Sequence, residues 1–200
     1  MATIGLSDLY YATITEAALG SETYGTPAKL AKAISADLSI EIAEAILYAD
    51  DAASETIKSF KNGKLTLSVD DLGTDKAALL TGGSVDKNGV LINSTENVAP
   101  YVAIGFRAQK ANGKYRYFWL YKVQFAPIST SLQTKGDSIT FQTPSIEGTI
   151  IRRNKEDASG LHPWKAEVTE GDEGVESSVI TGWFSQVYEP TYKAATTKGE

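Results

Sequence analysis

The stretch of sequence that decides the fold spans residues 98–125 and reads VAPYVAIGFRAQKANGKYRYFWLYKVQF. Aromatic and branched apolar residues lie on both sides of a single Asn112-Gly113 pair. An Asn-Gly pair between alternating apolar residues indicates a β-hairpin with a two-residue turn. That turn places six apolar side chains on one face of the hairpin, which we expect to be core: Val102, Ile104, Phe106, Trp119, Tyr121 and Val123.

Two further alternations indicate strands beside this hairpin. Residues 33–42 and 64–71 alternate apolar and polar side chains, the period of a half-buried strand, and we expect the two strands to be neighbours. The segment 43–60 between them is longer than an ordinary hairpin connection, and connections of that length are often functional. It is therefore predicted to be a contact loop.

One short helix is predicted in GTDKAALLTGG, residues 73–83. Thr74 or Asp75 is a suitable N-cap, the following Ala and Leu residues are good helix formers, and Gly82 marks the end. The fold class is therefore mainly β, with one short flanking α-helix.

Composition limits the classes of function. The chain has 200 residues, a formal net charge of -6, one His and no Cys. We expect a single domain over residues 1–190, followed by a polar tail over 191–200. No apolar run is long enough for a membrane span and no secretory leader is visible, and the acidic balance disfavours a protein that grips nucleic acid with its whole surface.

The sequence carries no pattern typical of an enzyme. The single His162 lies between Leu161 and Pro163, and a packing or turn role suits it better than catalysis. The adjacent carboxylates Asp50-Asp51 and Asp70-Asp71 follow predicted strands, where solvated acids are common. No phosphate-binding glycine motif is present. We therefore expect no catalytic site, no metal and no cofactor.

Cations and aromatic residues near the hairpin tip leave a second reading open. Tyr115, Arg116 and Tyr117 combine stacking surfaces with positive charge, as sheets that bind single-stranded nucleic acid do. The alternative prediction is a monomeric β-sandwich that binds carbohydrate or single-stranded nucleic acid.

Five segments in series carry a resemblance to a known family. YGTPAKLAKA, AILYADD, KLTLSVDDL, the long hairpin and GDSITFQTPSIEGTI occur in an order and spacing similar to those of the phi13-type major tail proteins of long-tailed bacteriophages. The resemblance covers residues 5–190. It implies a tail-tube-type β-sandwich or barrel that oligomerises into rings, six copies in that family. The rings stack into a hollow tube through which double-stranded DNA passes into the host cell.

The resemblance also implies partners, a location and roles for particular residues. The partners are further copies of the chain, tape-measure, tail-terminator and initiator proteins, and double-stranded DNA held transiently and without sequence preference in the lumen. The location is the virion tail, assembled in the cytoplasm of a bacterial host. Tyr48, Asp50, Asp51 and Phe60 are predicted to contact the next ring. Asp37, Glu41 and Asp70 are predicted to line the lumen, where negative charge would repel phosphate.

Overall fold

The computed structural model describes residues 2–49, 52–130, 132–134 and 142–192, with the backbone alone for 47–49 and 52–55. Within these ranges the chain forms eleven strands and two short helices. The strands are β1 (Thr3–Glu16), β2 (Glu22–Tyr24), β3 (Ala28–Lys29), β4 (Ala33–Ala49), β5 (Ala52–Val69), β6 (Ser84–Val85), β7 (Leu91–Ile92), β8 (Tyr101–Lys110), β9 (Tyr115–Phe125), β10 (Ser145–Ile150) and β11 (Lys165–Thr169). The helices are α1 (Thr74–Thr81) and α2 (Ser177–Gly182).

Nine of these strands form one antiparallel sheet. Seven of them follow the order β2-β1-β8-β9-β10-β5-β4, while β11 pairs with β9 and β3 pairs with β1. β6 and β7 form a separate two-stranded ribbon. The prediction of a mainly β fold is confirmed, and so is the pairing of the strands predicted at 33–42 and 64–71, which belong to β4 and β5.

The helix predicted after β5 is confirmed as α1, but its N-cap differs from the prediction. Gly73 occupies the N-cap position and no side chain caps the helix. The predicted end is correct, because Gly82 takes the left-handed conformation with φ 73° that suits glycine. The second helix, α2, was not predicted, since a six-residue helix is too short to show a helical period.

The central hairpin β8–β9 exists, but its predicted turn and register are wrong. The amide of Lys110 donates to the carbonyl of Lys114 at 2.8 Å, which leaves a three-residue loop with Gly113 at φ 83°. Gln109 therefore pairs with Tyr115, and Phe106 pairs with Phe118 instead of Trp119. Three-residue loops with a left-handed glycine are a common alternative to the two-residue turn.

A β-bulge restores the predicted pairing farther from the turn. Val102 pairs with Val123 as predicted, whereas Ile104 pairs with Leu120. Two residues of β9, Tyr121 and Lys122, therefore lie opposite one residue of β8. A bulge of this kind redirects the side chains that it contains.

The six predicted core residues are all buried, but they do not share one face. Val102, Ile104, Phe106 and Val123 belong to one core cluster with the apolar side chains of β5 and β10. Trp119 and Tyr121 belong to a second cluster on the other side of the sheet. A register change of one residue exchanges the faces of a strand, which explains the difference.

The C-terminal segment covers this second cluster. The indole Nε1 of Trp119 donates to the carbonyl of Trp183 at 2.9 Å, and the hydroxyl of Tyr121 donates to the carbonyl of Tyr188 at 2.7 Å. Phe184 stacks on Tyr10 with ring centroids 4.5 Å apart. The central strands are thus buried on both faces.

Gly105 leaves no room for a side chain on the second face. It pairs with Trp119, and a Cβ built on Gly105 would lie 2.8 Å from the Trp119 ring. We expect Gly105→Ala to lower the free energy of unfolding by about 1–3 kcal/mol, because the ring must move. Urea denaturation followed by tryptophan fluorescence measures this change.

Gly182→Ala is the matched control for this substitution. A Cβ at Gly182 meets nothing within 4 Å, so its effect should stay within about 0.5 kcal/mol. Equal stability of the two variants would contradict the packing described for Trp119.

Candidate assembly surface

The outer half of the β4–β5 hairpin is an exposed feature of the structure, which we call the arm: residues 42–60, with 50 and 51 outside the described ranges. It begins at a bulge between Glu41 and Ile42. β10 pairs with β5 only from Gly63 to Ser68, so its ladder ends before the arm begins. Every described side chain of the arm except Phe60 is exposed.

The arm carries apolar side chains in water. Ile42 is 59% exposed, Ile46 is 43% exposed and Ile57 is 67% exposed. Because side chains alternate along a strand, Ile42 and Ile46 lie on the same face. Between them on that face, Glu44 pairs with Lys58 at 3.3 Å. The arm therefore presents an apolar stripe with one central ion pair.

Phe60 anchors the root of the arm to the body. Its ring stacks on Trp164 with centroids 4.6 Å apart and planes 5° apart, next to the first core cluster. The bulge at Lys61 beside it lets that ammonium reach Glu41 at 3.4 Å. Phe60 therefore faces the body, at the point where the arm separates from the sheet.

The predicted contact loop 43–60 is wrong as a loop, because the segment is strand on both sides of residues 50 and 51. Tyr48 pairs with Ala53 in the ladder. Asp50 and Asp51 lie outside the described residues. The role of these residues in contact between copies stays a prediction.

The three acids predicted to line a lumen do not form one row. Asp37 and Glu41 share the face of β4 that points away from the first core, opposite Thr66 and Asn62. Asp70 lies beyond the end of β5, where its Oδ1 accepts the amides of Asp71 at 2.8 Å and Lys32 at 3.0 Å. These bonds, led by that from Asp71, lower the pKa of Asp70.

Two arginines near the tip of the central hairpin have acidic partners. Arg116 Nη2 lies 2.6 Å from Glu167 Oε1, and Arg107 pairs with Asp8. The guanidinium of Arg107 also lies 4.2 Å from the centre of the Tyr115 ring, while Tyr117 is buried. The stacking surface expected for a nucleic-acid platform is thus largely occupied by contacts within the chain.

A buried ionic cluster ties the β1–β2 hairpin to β9. Lys122 contacts Glu22, and both are almost fully buried. Its Nζ also lies 3.3 Å from Glu16. Burial alone would lower the pKa of Lys122, but the two carboxylates outweigh it and raise the pKa. The Glu22 carboxylate also accepts the amides of Asn154 at 2.8 Å and Lys155 at 3.0 Å.

Three further observations concern His162, metal binding and membrane spans. His162 Nε2 lies 3.9 Å from Glu156, and this histidine is the only one in the chain. Within the described ranges, no group of three or more acidic or histidine side chains is placed to hold a metal ion. None of the helices in those ranges has the length and apolar composition needed to cross a lipid bilayer.

Comparison with solved structures includes a distant structural likeness. No protein-family model matches the sequence, and no curated protein is similar to it. A chain in a cryo-EM structure of the anti-feeding prophage cap, which terminates the AFP tube, is similar with a TM-score of 0.40 and 11% sequence identity. The match covers 84% of this chain and 93% of that chain. A likeness of this strength assigns no function to this chain.

Two features of this surface were missed in the sequence. The alternation that predicts β4 ends after Ile42, because Glu44 stands at an apolar position of the pattern and Ala43 and Ala45 stand at polar ones, so the continuation of the strand is not visible. The cluster of Glu22 with Lys122 joins residues a hundred positions apart, and no local pattern signals it.

Removing one partner of the buried ion pair should destabilise the fold more than removing both. Lys122→Met leaves Glu22 buried without its cation, and we expect it to lower the free energy of unfolding by about 3–5 kcal/mol. The double variant Lys122→Met with Glu22→Gln removes both charges and should recover part of that loss. Urea denaturation of the wild type, the two single variants Lys122→Met and Glu22→Gln, and the double variant measures the coupling, and strictly additive effects would contradict a direct pair.

The buried tyrosines should make the fold sensitive to alkali. Burial raises the pKa of Tyr24 and of Tyr121 far above the ordinary value, with Arg153 opposing the shift at both. The unfolded chain then releases these protons near pH 10 while the folded chain keeps them, so the free energy of unfolding falls as pH rises above about 10.

Tyr24→Phe tests this pH dependence. It should flatten the decline by up to about 1.4 kcal/mol per pH unit, because one tyrosine no longer titrates. Urea denaturation at pH 9, 10 and 11 gives the slope. An unchanged slope in the variant would show that Tyr24 ionises normally in the folded state.

Proposed function

We propose that this chain is a structural subunit of a phage-type tail, the repeating tube subunit, and that its copies associate through the arm. One observation carries the proposal. β4 has 17 residues and β5 has 18, yet their outer halves are exposed and carry three apolar side chains in water. A binding module that works as a monomer would have no need of an exposed arm.

The physical argument concerns the stability of an unsupported ribbon. An isolated two-stranded hairpin is marginally stable in water. β4 is also the edge of the sheet, so its outer backbone groups have no strand partner in the described structure. Contact with another copy removes the apolar stripe from water, which stabilises the contact by about 25 cal/mol per Å² of buried apolar surface. The same contact gives the backbone groups of that edge hydrogen-bond partners. The ribbon is therefore suited to association.

The unlike ends of the sheet favour a head-to-tail arrangement. One end is the long edge strand β4, and the other is β1, which β2 and β3 cover over part of its length. Contacts between unlike surfaces close into a ring when the rotation between copies allows it. We propose rings, of six copies as in the resembling family, that stack into a tube of a virion tail assembled in the bacterial cytoplasm.

A lumen lined by the exposed face of β4 and β5 would be mixed in charge with an acidic excess. Glu41 is paired with Lys61, and Lys64 is paired with Glu147 at 2.8 Å, so these lysines are already engaged. Duplex DNA would pass such a wall without strong phosphate contacts. Transient DNA, tape-measure, terminator and initiator proteins are the partners proposed for this role, which requires no catalysis.

The arm can be tested directly by assembly of the purified protein. Wild-type protein, concentrated stepwise, should form rings or hollow tubes in negative-stain electron microscopy and large species in light scattering. Ile42→Asp combined with Ile46→Asp should raise the concentration needed for assembly at least about tenfold, because two desolvated charges replace the apolar stripe.

Leu161→Asp is the matched control, since Leu161 is exposed to a similar degree and lies outside the arm. All three proteins should melt at similar temperatures, because the substituted side chains are exposed. Wild-type protein that remains monomeric at every concentration would contradict the proposal. So would arm variants that assemble like wild type.

A further inference from the structure

The sequence contains three Asn-Gly pairs, at residues 62–63, 88–89 and 112–113. In such a pair the glycine nitrogen can attack the side-chain carbonyl carbon of the asparagine, because glycine has no Cβ to hinder the approach. The three pairs share this chemistry but lie in different parts of the fold. Their surroundings therefore decide which pair reacts first.

We propose that Asn112 is a site of spontaneous deamidation in the folded protein. The nitrogen of Gly113 bonds to Cγ of Asn112, and the side-chain nitrogen leaves as ammonia with the amide proton of Gly113, which closes a succinimide ring. Water then breaks one of the two bonds between the ring nitrogen and a ring carbonyl, and it leaves a carboxylate and a restored N–H group. The product is aspartate or isoaspartate, and water is the only co-reactant.

Two of the three pairs lie in hairpin loops with the same backbone geometry. In the β8–β9 loop the amide of Gly113 donates to the carbonyl of Lys110 at 3.0 Å, and in the β6–β7 loop the amide of Gly89 donates to the carbonyl of Asp86 at 3.0 Å. The two glycines have φ values of 83° and 82°, and the asparagine before each is exposed. Backbone geometry and exposure alone would therefore give both asparagines the same rate.

The asparagine side chains of these two loops point in opposite directions along the chain. Asn112 reaches forward, where its Oδ1 accepts the amide of Lys114 at 3.2 Å. This bond holds the side chain on the side of Gly113 and polarises the carbonyl that is attacked. Asn88 reaches back, where its Nδ2 donates to Oδ2 of Asp86 at 3.1 Å. The carbonyl carbon of Asn112 is therefore the better placed for attack.

Asp86 also opposes the reaction at Asn88 through its charge. Its Oδ1 accepts the amides of Val90 at 2.9 Å and of Asn88 at 2.8 Å. These hydrogen bonds, led by that from Val90, lower the pKa of Asp86 and keep it ionised. Attack removes a proton from the glycine nitrogen and builds negative charge on the asparagine oxygen, and a neighbouring anion disfavours both changes.

The β8–β9 loop carries cations at the corresponding places. Lys110 stands where the other loop has Asp86, and Lys114 directly follows the Asn-Gly pair. Glu170 offsets part of this charge, since its carboxylate accepts the amide of Tyr115 at 3.1 Å. The two ammonium groups stabilise the anion that forms during attack.

The third pair is protected by the sheet. Gly63 is buried, and it pairs with Ile40 of β4 on one side and with Ile150 of β10 on the other. Attack on Asn62 requires this ladder to open, and openings inside a paired sheet are rare. We therefore expect deamidation first at Asn112, then at Asn88 and last at Asn62.

Deamidation changes the tip of the central hairpin in two ways. It places a carboxylate between Lys110 and Lys114, so the formal net charge of the chain falls by one from -6. Isoaspartate also adds one backbone atom to the three-residue loop. This inference does not rest on the proposed function, because the reaction takes place within a single chain. The charge of the hairpin tip therefore changes with the age of the protein.

Timed incubation of the full chain at neutral pH tests the proposal. Samples are digested under acidic conditions, which stop the reaction, and mass spectrometry follows the mass gained when oxygen replaces the NH group in each Asn-Gly peptide. Asn112 should react about ten times faster than Asn88, the effect of the charged hydrogen bonds that hold the second loop. Asn62 should stay unmodified until both have reacted.

A reciprocal exchange provides matched variants. Lys110→Asp places the acid of the slow loop in the fast one and should slow the reaction at Asn112 about tenfold. Asp86→Lys should speed the reaction at Asn88 by a similar factor. Asn112→Gln is the negative control, because its longer side chain closes a larger ring. The melting temperature of each variant checks its fold.

The same incubation in urea separates the effect of the fold from that of the sequence. All three pairs should react at similar rates in the unfolded chain, because glycine follows the asparagine in each. Equal rates at Asn112 and Asn88 in the folded protein would overturn the proposal. So would rates at these two positions that the reciprocal exchange leaves unchanged, or an order of reaction that survives in urea.

Discussion

The extra residue in β9 is the constraint on which the rest of the structure depends. Tyr121 and Lys122 lie opposite a single position of β8, so the strand shifts its register in the middle of the sheet. The shift lets Tyr121 share the second face with Trp119 while Val123, two residues later, faces the first core, and Lys122 between them reaches Glu22 and Glu16. Without it, either the aromatic side chains or the ammonium would point to the wrong side of the sheet.

This arrangement buries the central strands on both faces, and each face carries a different kind of core. The first cluster, built on β5, β8, β9 and β10, is an ordinary apolar core. The second is aromatic, and its polar atoms reach carbonyls of the C-terminal segment. A rigid, doubly covered centre can support a long ribbon at its margin, because Phe60 and Trp164 fasten that ribbon where it leaves the sheet.

The sequence predicted individual strands and the first helix more reliably than it predicted the register between strands. The hairpin, the strands in β4 and β5 and the helix α1 all have local signatures, and each is present. The register of β8 against β9 depends on whether the turn has two or three residues and on a bulge, and Asn112-Gly113 is compatible with both turns.

The arm escaped prediction for a related reason. A strand that packs on nothing shows little apolar contrast, so its composition resembles that of a loop. The exposed isoleucines become informative only when the structure shows that nothing in the described part of the chain covers them.

The cover over the second cluster also has a consequence for the timing of synthesis. Trp119 and Tyr121 are made well before their partners at Trp183 and Tyr188, which lie more than sixty residues later in the chain. The first cluster uses residues up to Ile150 and can close while the ribosome is still adding the remainder. The aromatic face stays open until the last part of the chain emerges. A nascent or truncated chain that lacks residues 183–188 thus exposes an aromatic surface to chaperones and proteases, and these residues hide it once they are made.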